Sequence, residues 1–140
     1  MGYTTQKESL LLALGVSSIS DLDDLYVQNY RKLSEYYKAL DENRWPIAKG
    51  HVLTAEDKLR RSIIMELLCH LEVPLSWVES FEDERLELEP MVQDGFLKMT
   101  SEKIQVTELG RVFLRNIGMV FDAYLSKEAL SSVKLYSRTI

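Results

Sequence analysis

The chain has 140 residues, of which 46% are hydrophobic and 28% charged, and its formal net charge is −5 at pH 7. This length and composition are typical of one compact globular domain. An acidic chain is poorly suited to phosphate backbones and anionic membranes, so we expect neither nucleic-acid nor membrane partners. The longest apolar run, residues 10–16, is too short to span a bilayer, and the N-terminus lacks the pattern of a signal peptide.

The sequence offers few residues for metal or nucleophilic chemistry. Cys69 is the only cysteine, so no internal disulfide can form, which fits a cytoplasmic protein. Cys69 and its neighbour His70 would point to different faces of a helix, and His51 is the only other histidine, so we expect no metal site. We interpret Cys69 as a small core residue. The residue chemistry alone therefore predicts no catalytic site.

Residues 10–19 begin with a run that is apolar on every face. Such a run fits a strand that is buried on both sides. Thr5 and Glu8, however, have capping-box spacing, which favours a short helix ending at Gly15. The pattern leaves both structures open.

Residues 20–42 have the pattern of a long helix. Ser20 is a candidate N-cap, and Asp23 follows three positions later. Large side chains recur at helical spacing and form one stripe, made of Leu22, Tyr26, Tyr30, Leu33, Tyr37 and Leu40. We interpret this stripe as core rather than as a cofactor site, and residues 43–50, which include Pro46, as a connection.

The next helix begins with a capping box formed by Thr54 and Asp57 and runs to about Leu71. Its inward positions are Leu59, Ile63, Leu67 and Leu71. We expect its basic residues, Lys58, Arg60 and Arg61, to be solvated or paired with carboxylates. Residues 74–81 and 83–93 are predicted as two shorter helices, the second interrupted near Pro90.

A β-hairpin and a final helix complete the pattern. Asp94-Gly95 is a turn signal, and two short alternating runs, residues 96–99 and 103–106, predict the hairpin. Thr107 is the candidate cap of a long final helix whose inner face holds Phe113, Ile117, Val120, Phe121 and Tyr124. The sequence thus predicts a mainly α fold, a helical bundle with a small β-hairpin, arranged like a winged helix.

Motifs along the whole chain resemble one enzyme family. They are Gly2-Tyr3-Thr4-Thr5-Gln6, residues 14–20, Tyr26-Val27-Gln28-Asn29, residues 54–69, residues 115–125 and Tyr136-Ser137-Arg138. These motifs resemble the C-terminal portion of oxygen-independent coproporphyrinogen III oxidases, which are HemN-like radical S-adenosylmethionine enzymes. The run over residues 115–125 is the most specific, because many of its polar positions agree.

The resemblance implies the chemistry of haem biosynthesis. In that family a [4Fe–4S] cluster on Cys-x-x-x-Cys-x-x-Cys cleaves S-adenosylmethionine, and the resulting radical drives decarboxylation of coproporphyrinogen III to protoporphyrinogen IX. A cluster needs several thiolates, and Cys69 is alone. We therefore expect the cluster and most of the catalytic barrel to lie upstream of Met1, in an excised or naturally truncated product. This chain would hold no cofactor of its own and would be inactive by itself.

The resemblance also predicts an organisation in three parts. Residues 1–20 would be a remnant of the last part of the barrel, 21–50 a linking helix and connection, and 51–140 a C-terminal winged-helix-like domain. In the parent this portion would pack on its own barrel and help enclose the tetrapyrrole. Ile19 matches a family isoleucine that contacts a second S-adenosylmethionine, whereas Met1 stands where the family has a contacting glutamine.

Two further expectations concern partners. Without a barrel, residues 10–19 would expose their apolar side chains, so we expect them to pair with a second copy across a twofold axis, unless they form the local helix. The alternative function is that of a stand-alone winged-helix-like module that binds another protein.

We predict that the chain does not bind duplex DNA, because the helix before the hairpin would enter the major groove. In and just before that helix the only basic residue is Arg85, and the acidic residues are Glu79, Glu82, Asp83, Glu84, Glu87 and Glu89. Like charge opposite phosphates is repulsive and releases no counterions. A gel-shift assay at low salt should show no complex, and a tight, salt-sensitive complex would contradict the prediction.

Overall fold

A computed structural model describes residues 10–125, which form two compact units, residues 10–58 and 59–125. The motifs in residues 2–6 and 136–138, and the Thr5–Glu8 capping pattern, lie outside the described residues. The described part contains five α-helices and two three-stranded antiparallel sheets. It is therefore a mixed α/β structure. The predicted mainly α fold with a small hairpin is confirmed only in part, because the helices and the hairpin are present but a second sheet and a third strand beside the hairpin were not expected.

The first unit is built on an antiparallel sheet whose strands have the order β1-β2-β3. The strands are β1 (Ile19–Asp21), β2 (Leu25–Asn29) and β3 (Ile47–Val52). Helix α1 (Leu33–Asp41) connects β2 to β3 and buries Ala39. Within the described range this unit shows a small open sheet and no barrel.

The predicted helix over residues 20–42 is wrong over residues 20–32, because that stretch holds β1, β2 and the turn between them, whereas α1 lies within the rest. Asp23, at φ +67°, lies in that turn, where the amide of Leu22 donates to the carbonyl of Leu25. Along β2, Val27 and Asn29 are the buried positions, which is the period of a strand. Backbone partners on both sides of β2 outweigh the helical spacing of its side chains. The predicted connection at 43–50 likewise contains most of β3.

Residues 10–18 form neither the predicted helix nor a regular strand. A single antiparallel bridge joins Leu11 to Asp21, and each donates a backbone N–H to the other at 2.8 Å. The surrounding leucines are exposed, and Leu14 reaches 83% exposure. Among the described residues these leucines are therefore not buried on both faces, as expected for this segment without a barrel, and pairing with a second copy stays a prediction.

The second unit contains four helices and a sheet with the order β4-β6-β5. Its elements are α2 (Ala55–His70, which begins in the first unit), β4 (Glu72–Pro74), α3 (Leu75–Val78), α4 (Glu82–Gln93), β5 (Leu97–Met99), β6 (Lys103–Val106), a 3-10 helix (Gly110–Phe113) and α5 (Leu114–Met119). One apolar core joins them, made of Ile63, Leu67, Val73, Val78, Phe81, Leu88, Leu97, Ile104, Val106, Ile117 and Phe121. No helix in residues 10–125 has the length and apolar character needed to cross a bilayer.

The capping box of α2 is confirmed. The Asp57 amide donates to Thr54 Oγ1 at 3.1 Å, and the Thr54 amide donates to Asp57 Oδ2 at 2.9 Å. Ile63 and Leu67 are buried, with Leu59 and Leu71 packed beside them, as the helical spacing predicts. The expected carboxylate partners are also present, because Lys58 pairs with Asp24 and Arg60 with Glu84.

The hairpin prediction is also confirmed by β5 and β6, whereas strand β4 was missed. Pro90 lies inside α4 without interrupting it. The final helix is shorter than predicted, since a 3-10 helix precedes the six residues of α5. Ile117 and Phe121 are buried as expected, but Phe113 and Tyr124 are exposed.

Gly110 is required by a close approach of two backbone segments. The Thr107 hydroxyl accepts the Gly110 amide at 3.0 Å and donates to the Gly95 carbonyl at 2.7 Å, which ties the 3-10 helix to the start of the hairpin. A Cβ at Gly110 would overlap the carbonyl oxygen of Phe96 and lie 2.8 Å from its carbonyl carbon.

We predict that Gly110→Ala lowers the free energy of unfolding by about 1–3 kcal/mol, because the backbone must shift to relieve this overlap. Gly118→Ala is the matched control, since its Cβ would meet Ile64 Cγ2 at an ordinary 3.7 Å and alanine favours a helix by about 1 kcal/mol. Urea denaturation should show a loss only for Gly110→Ala. Equal stability of both variants would contradict the close approach.

We also predict that Arg60→Met lowers the free energy of unfolding by about 1.5–3 kcal/mol, the usual range for a hydrogen bond to a charged group. The Arg60 and Glu84 side chains are only 13% and 18% exposed, with N and O 2.6 Å apart. The guanidinium also lies 4.4 Å from the centre of the Phe81 ring. In the exposed pair Arg111–Glu108, Arg111→Met should change stability by less than about 0.5 kcal/mol. Urea denaturation of both variants measures the difference.

Candidate functional site

Ile19, the residue to which the family resemblance assigns a ligand contact, is the first residue of β1 and is half-buried. It lies opposite Gln28 in the β1–β2 register. The residues before it, 15–18, form a turn that leads into the strand. The candidate site is therefore this turn together with Ile19, which we call the Gly15–Ile19 turn.

The backbone of the turn contains two residues with positive φ. Gly15 has φ +98° and Ser17 has φ +58°. Glycine adopts such angles freely, whereas a serine in the left-handed region costs about 1–2 kcal/mol. A turn that keeps a serine in this unfavourable conformation has to be held by contacts from other segments.

Two neighbouring side chains, one from β2 and one from α1, hold the turn through part-buried hydrogen bonds, and a third side chain adds an exposed one. Asn29 Nδ2 donates to the Gly15 carbonyl at 3.0 Å and to Ser18 Oγ at 3.1 Å. The hydroxyl of Tyr36 accepts the Gly15 amide at 3.2 Å. Gln28 Nε2 donates to the Ser17 carbonyl at 3.3 Å in an exposed hydrogen bond.

Backbone bonds complete the frame around the turn. The Ser17 amide donates to the Tyr30 carbonyl at 2.8 Å, and the Asn29 amide donates to the Ser18 carbonyl at 3.0 Å. Ser20, the next residue after Ile19, is buried, and its hydroxyl accepts the Ala13 amide at 3.1 Å. The site thus offers an aliphatic side chain on a fixed backbone. It supplies packing and hydrogen bonds rather than acid–base chemistry.

The titratable groups with shifted pKa values are not among the side chains that hold this turn. A hydrogen bond from Arg44 lowers the pKa of Glu42, and one from Lys103 lowers the pKa of Glu72. Both carboxylates are at the surface. These pairs are surface ion pairs and do not form a reaction centre.

The candidate metal ligands are not brought together. His51 Nε2 lies 3.8 Å from Asp57 Oδ2, His70 Nδ1 lies 2.9 Å from Glu66 Oε2, and Cys69 is half-buried in α2. Across residues 10–125 no group of three or more histidine, cysteine, aspartate or glutamate residues could hold a metal ion. A single cysteine does not fit a [4Fe–4S] cluster, so no step of the chemistry is assigned to these residues.

Sequence reasoning missed the structural role of Asn29 and Tyr36. Asn29 belongs to a motif quoted for the family resemblance, but its role depends on partners 11 and 14 residues away in the chain. Tyr36 was not part of the predicted stripe. An asparagine alternating with valine along a strand is the local signal that could have indicated a buried polar contact.

Comparison with known proteins agrees with the resemblance. Residues 53–113 match the family model of the HemN C-terminal domain. The oxygen-independent coproporphyrinogen III oxidase of Synechocystis is 39% identical over 99% of this chain, and that of Escherichia coli K12 is 36% identical over 99%. In both cases the chain spans 32% of the relative, about a third of its length.

A solved structure shares the fold. The structure described as coproporphyrinogen III oxidase (HemN) from Escherichia coli, a radical SAM enzyme, superposes with a TM-score of 0.81 at 38% identity. The match covers 89% of this chain and 31% of that one. This chain is therefore homologous to the C-terminal region of oxygen-independent coproporphyrinogen III oxidases, and its residues 53–113 correspond to the HemN C-terminal domain.

Proposed function

We propose that this chain acts as the non-catalytic C-terminal part of an oxygen-independent coproporphyrinogen III oxidase, in cytoplasmic haem biosynthesis. It packs against the catalytic barrel of the enzyme and helps enclose the tetrapyrrole. The cluster and the S-adenosylmethionine that it cleaves belong to the other part of the enzyme. The single cysteine of this chain supports that division, because a cluster needs several thiolates.

The proposal rests mainly on two features taken together. Nearly the whole of this chain is similar to one third of the oxidase, and the segment before β1 exposes apolar side chains. The chain matches the Synechocystis oxidase over 99% of its length but spans only 32% of that enzyme. Leu10, Leu12 and Leu14 are exposed next to β1. Covering each such side chain is worth about 1.5–3 kcal/mol, so this segment is a suitable contact for the barrel.

Ile19 supplies this chain's contribution to a ligand site in the same proposal. Its half-buried side chain, on a turn held by Asn29 and Tyr36, would pack against a second S-adenosylmethionine. Packing needs a fixed position more than it needs a charge. The hydrogen-bonded frame of the turn supports this role.

The second unit is proposed to be a winged helix. Its order of helix, strand, two helices and two strands, with β4 paired to β6, supports this assignment. Helix α4 precedes the hairpin, and its first turn holds Glu82, Asp83 and Glu84. This charge favours a protein-packing role over DNA recognition.

A stand-alone protein-interaction module is the alternative function. The exposed Leu109, Val112 and Phe113 on and beside the 3-10 helix favour it, because they offer a second apolar surface. The two functions differ in which surface is needed. The barrel-packing function depends on residues 10–14, and the module depends on the 3-10 helix.

We predict that a chimera in which this chain replaces the matching third of the Synechocystis oxidase decarboxylates coproporphyrinogen III under anaerobic conditions, whereas the chain alone does not. Leu14→Asp in the chimera should reduce that activity at least tenfold, because a charge cannot enter an apolar contact without a large desolvation cost. Product formation is followed by chromatography.

Val112→Asp is the matched control, since Val112 and Leu14 are 80% and 83% exposed aliphatic residues. The control should retain most of the activity. An inactive chimera of normal stability, or an equal loss in both variants, would contradict the proposal. A loss in the Val112 variant alone would place the barrel contact at the 3-10 helix and contradict the proposed role of residues 10–14.

A further inference from the structure

Asn29 is a buried polar side chain in a unit with little apolar core. It is 8% exposed, and both hydrogen-bonding positions of its amide nitrogen are used, one by the Gly15 carbonyl and one by Ser18 Oγ. Ser18 Oγ in turn donates to the Gly15 carbonyl at 2.7 Å. The Gly15 carbonyl therefore accepts from Asn29 and Ser18 together, which links the two ends of the turn.

The same turn is held by its backbone amides. Gly15 donates its N–H to the Tyr36 hydroxyl, and Ser17 donates its N–H to the Tyr30 carbonyl. Ser17 has φ +58°, an angle that serine leaves when no contact compensates for it. Asn29 is the member of this network that is buried and bonded to both Gly15 and Ser18, the residues that flank Val16 and Ser17.

We infer that Asn29 is the positioning residue of the Gly15–Ile19 turn, fixing the direction in which Ile19 leaves the turn and enters β1. This inference rests on the proposed function, in which Ile19 packs against an S-adenosylmethionine. Asn29 touches no ligand in this arrangement and acts through the backbone of residues 15–18. Tyr36 supports it from α1.

Asn29→Asp is the most informative variant, because it keeps the shape of the side chain. It replaces the amide that donates to the Gly15 carbonyl with a carboxylate that repels this carbonyl. Gln28→Ala is the matched control, since Gln28 is the adjacent residue and makes one exposed hydrogen bond to the same turn. Tyr36→Phe is a milder second variant that removes only the acceptor of the Gly15 amide.

The first measurement is amide hydrogen exchange by NMR on the full 140-residue chain. Exchange at Ser17 should be about tenfold faster or more in Asn29→Asp, faster in Tyr36→Phe, and changed less than about twofold in Gln28→Ala. The Leu53 amide, bonded to the Asp24 carbonyl in the same unit, is the internal reference and should not change. Unchanged exchange at Ser17 in both Asn29→Asp and Tyr36→Phe, or equal acceleration at Leu53, would overturn the inference.

The second measurement is equilibrium dialysis of labelled S-adenosylmethionine with the chimera. The unmodified chimera should bind two equivalents, and Asn29→Asp should weaken one of them about tenfold while Gln28→Ala weakens neither. Faster exchange at Ser17 with unaltered binding of both equivalents would overturn the positioning of Ile19 by Asn29. If the unmodified chimera binds one equivalent, the assignment of Ile19 to a ligand fails, and the exchange measurement still decides whether Asn29 holds the turn.

Discussion

The alternation of side chains along β6 is the constraint on which the second unit depends. Ile104 and Val106 are buried, whereas Lys103 and Gln105, which alternate with them, are only half-buried. Since β6 pairs with strands on both sides, a slip of one residue would turn both apolar side chains out of the core. Ile104 lies opposite Val73 in β4 and opposite Met99 in β5, so one register places apolar residues of all three strands against the helices.

The first unit is stabilised in a different way. Among its described residues the buried apolar side chains of the sheet and helix are few, with Val27 in β2 and Ala39 in α1, while Ser20 and Asn29 are buried polar residues. Hydrogen bonds hold such a unit in one geometry, but they contribute only about 0.5–1.5 kcal/mol each. A small core beside exposed leucines is typical of a segment that packs against another surface. The proposed barrel contact would supply that surface, and the hydrogen-bonded Gly15–Ile19 turn would present a fixed backbone to it.

Helix α2 and the hairpin were predictable because their signals are local. The Thr54–Asp57 capping box and the Asp94-Gly95 turn each involve residues within a few positions of each other. The first part of the helix predicted over residues 20–42 was wrong because Tyr26 and its neighbours pair with β1 and β3, and β3 lies more than 20 residues away. Strand β4 was missed for the same reason, since its partner β6 follows about 30 residues later.

The sequence by itself determined the acidic character of the chain, its single cysteine, the helix that starts at Thr54 and the hairpin. Its motifs also gave the family resemblance from which the proposed role of Ile19 comes. Only the tertiary structure decided the backbone conformation of the turn that leads into Ile19. The turn before it is held by Asn29 and Tyr36, which are distant in sequence and whose hydrogen bonds exist only once β2 and α1 are in place. Local patterns record propensity and spacing, whereas pairing between distant segments depends on the whole fold.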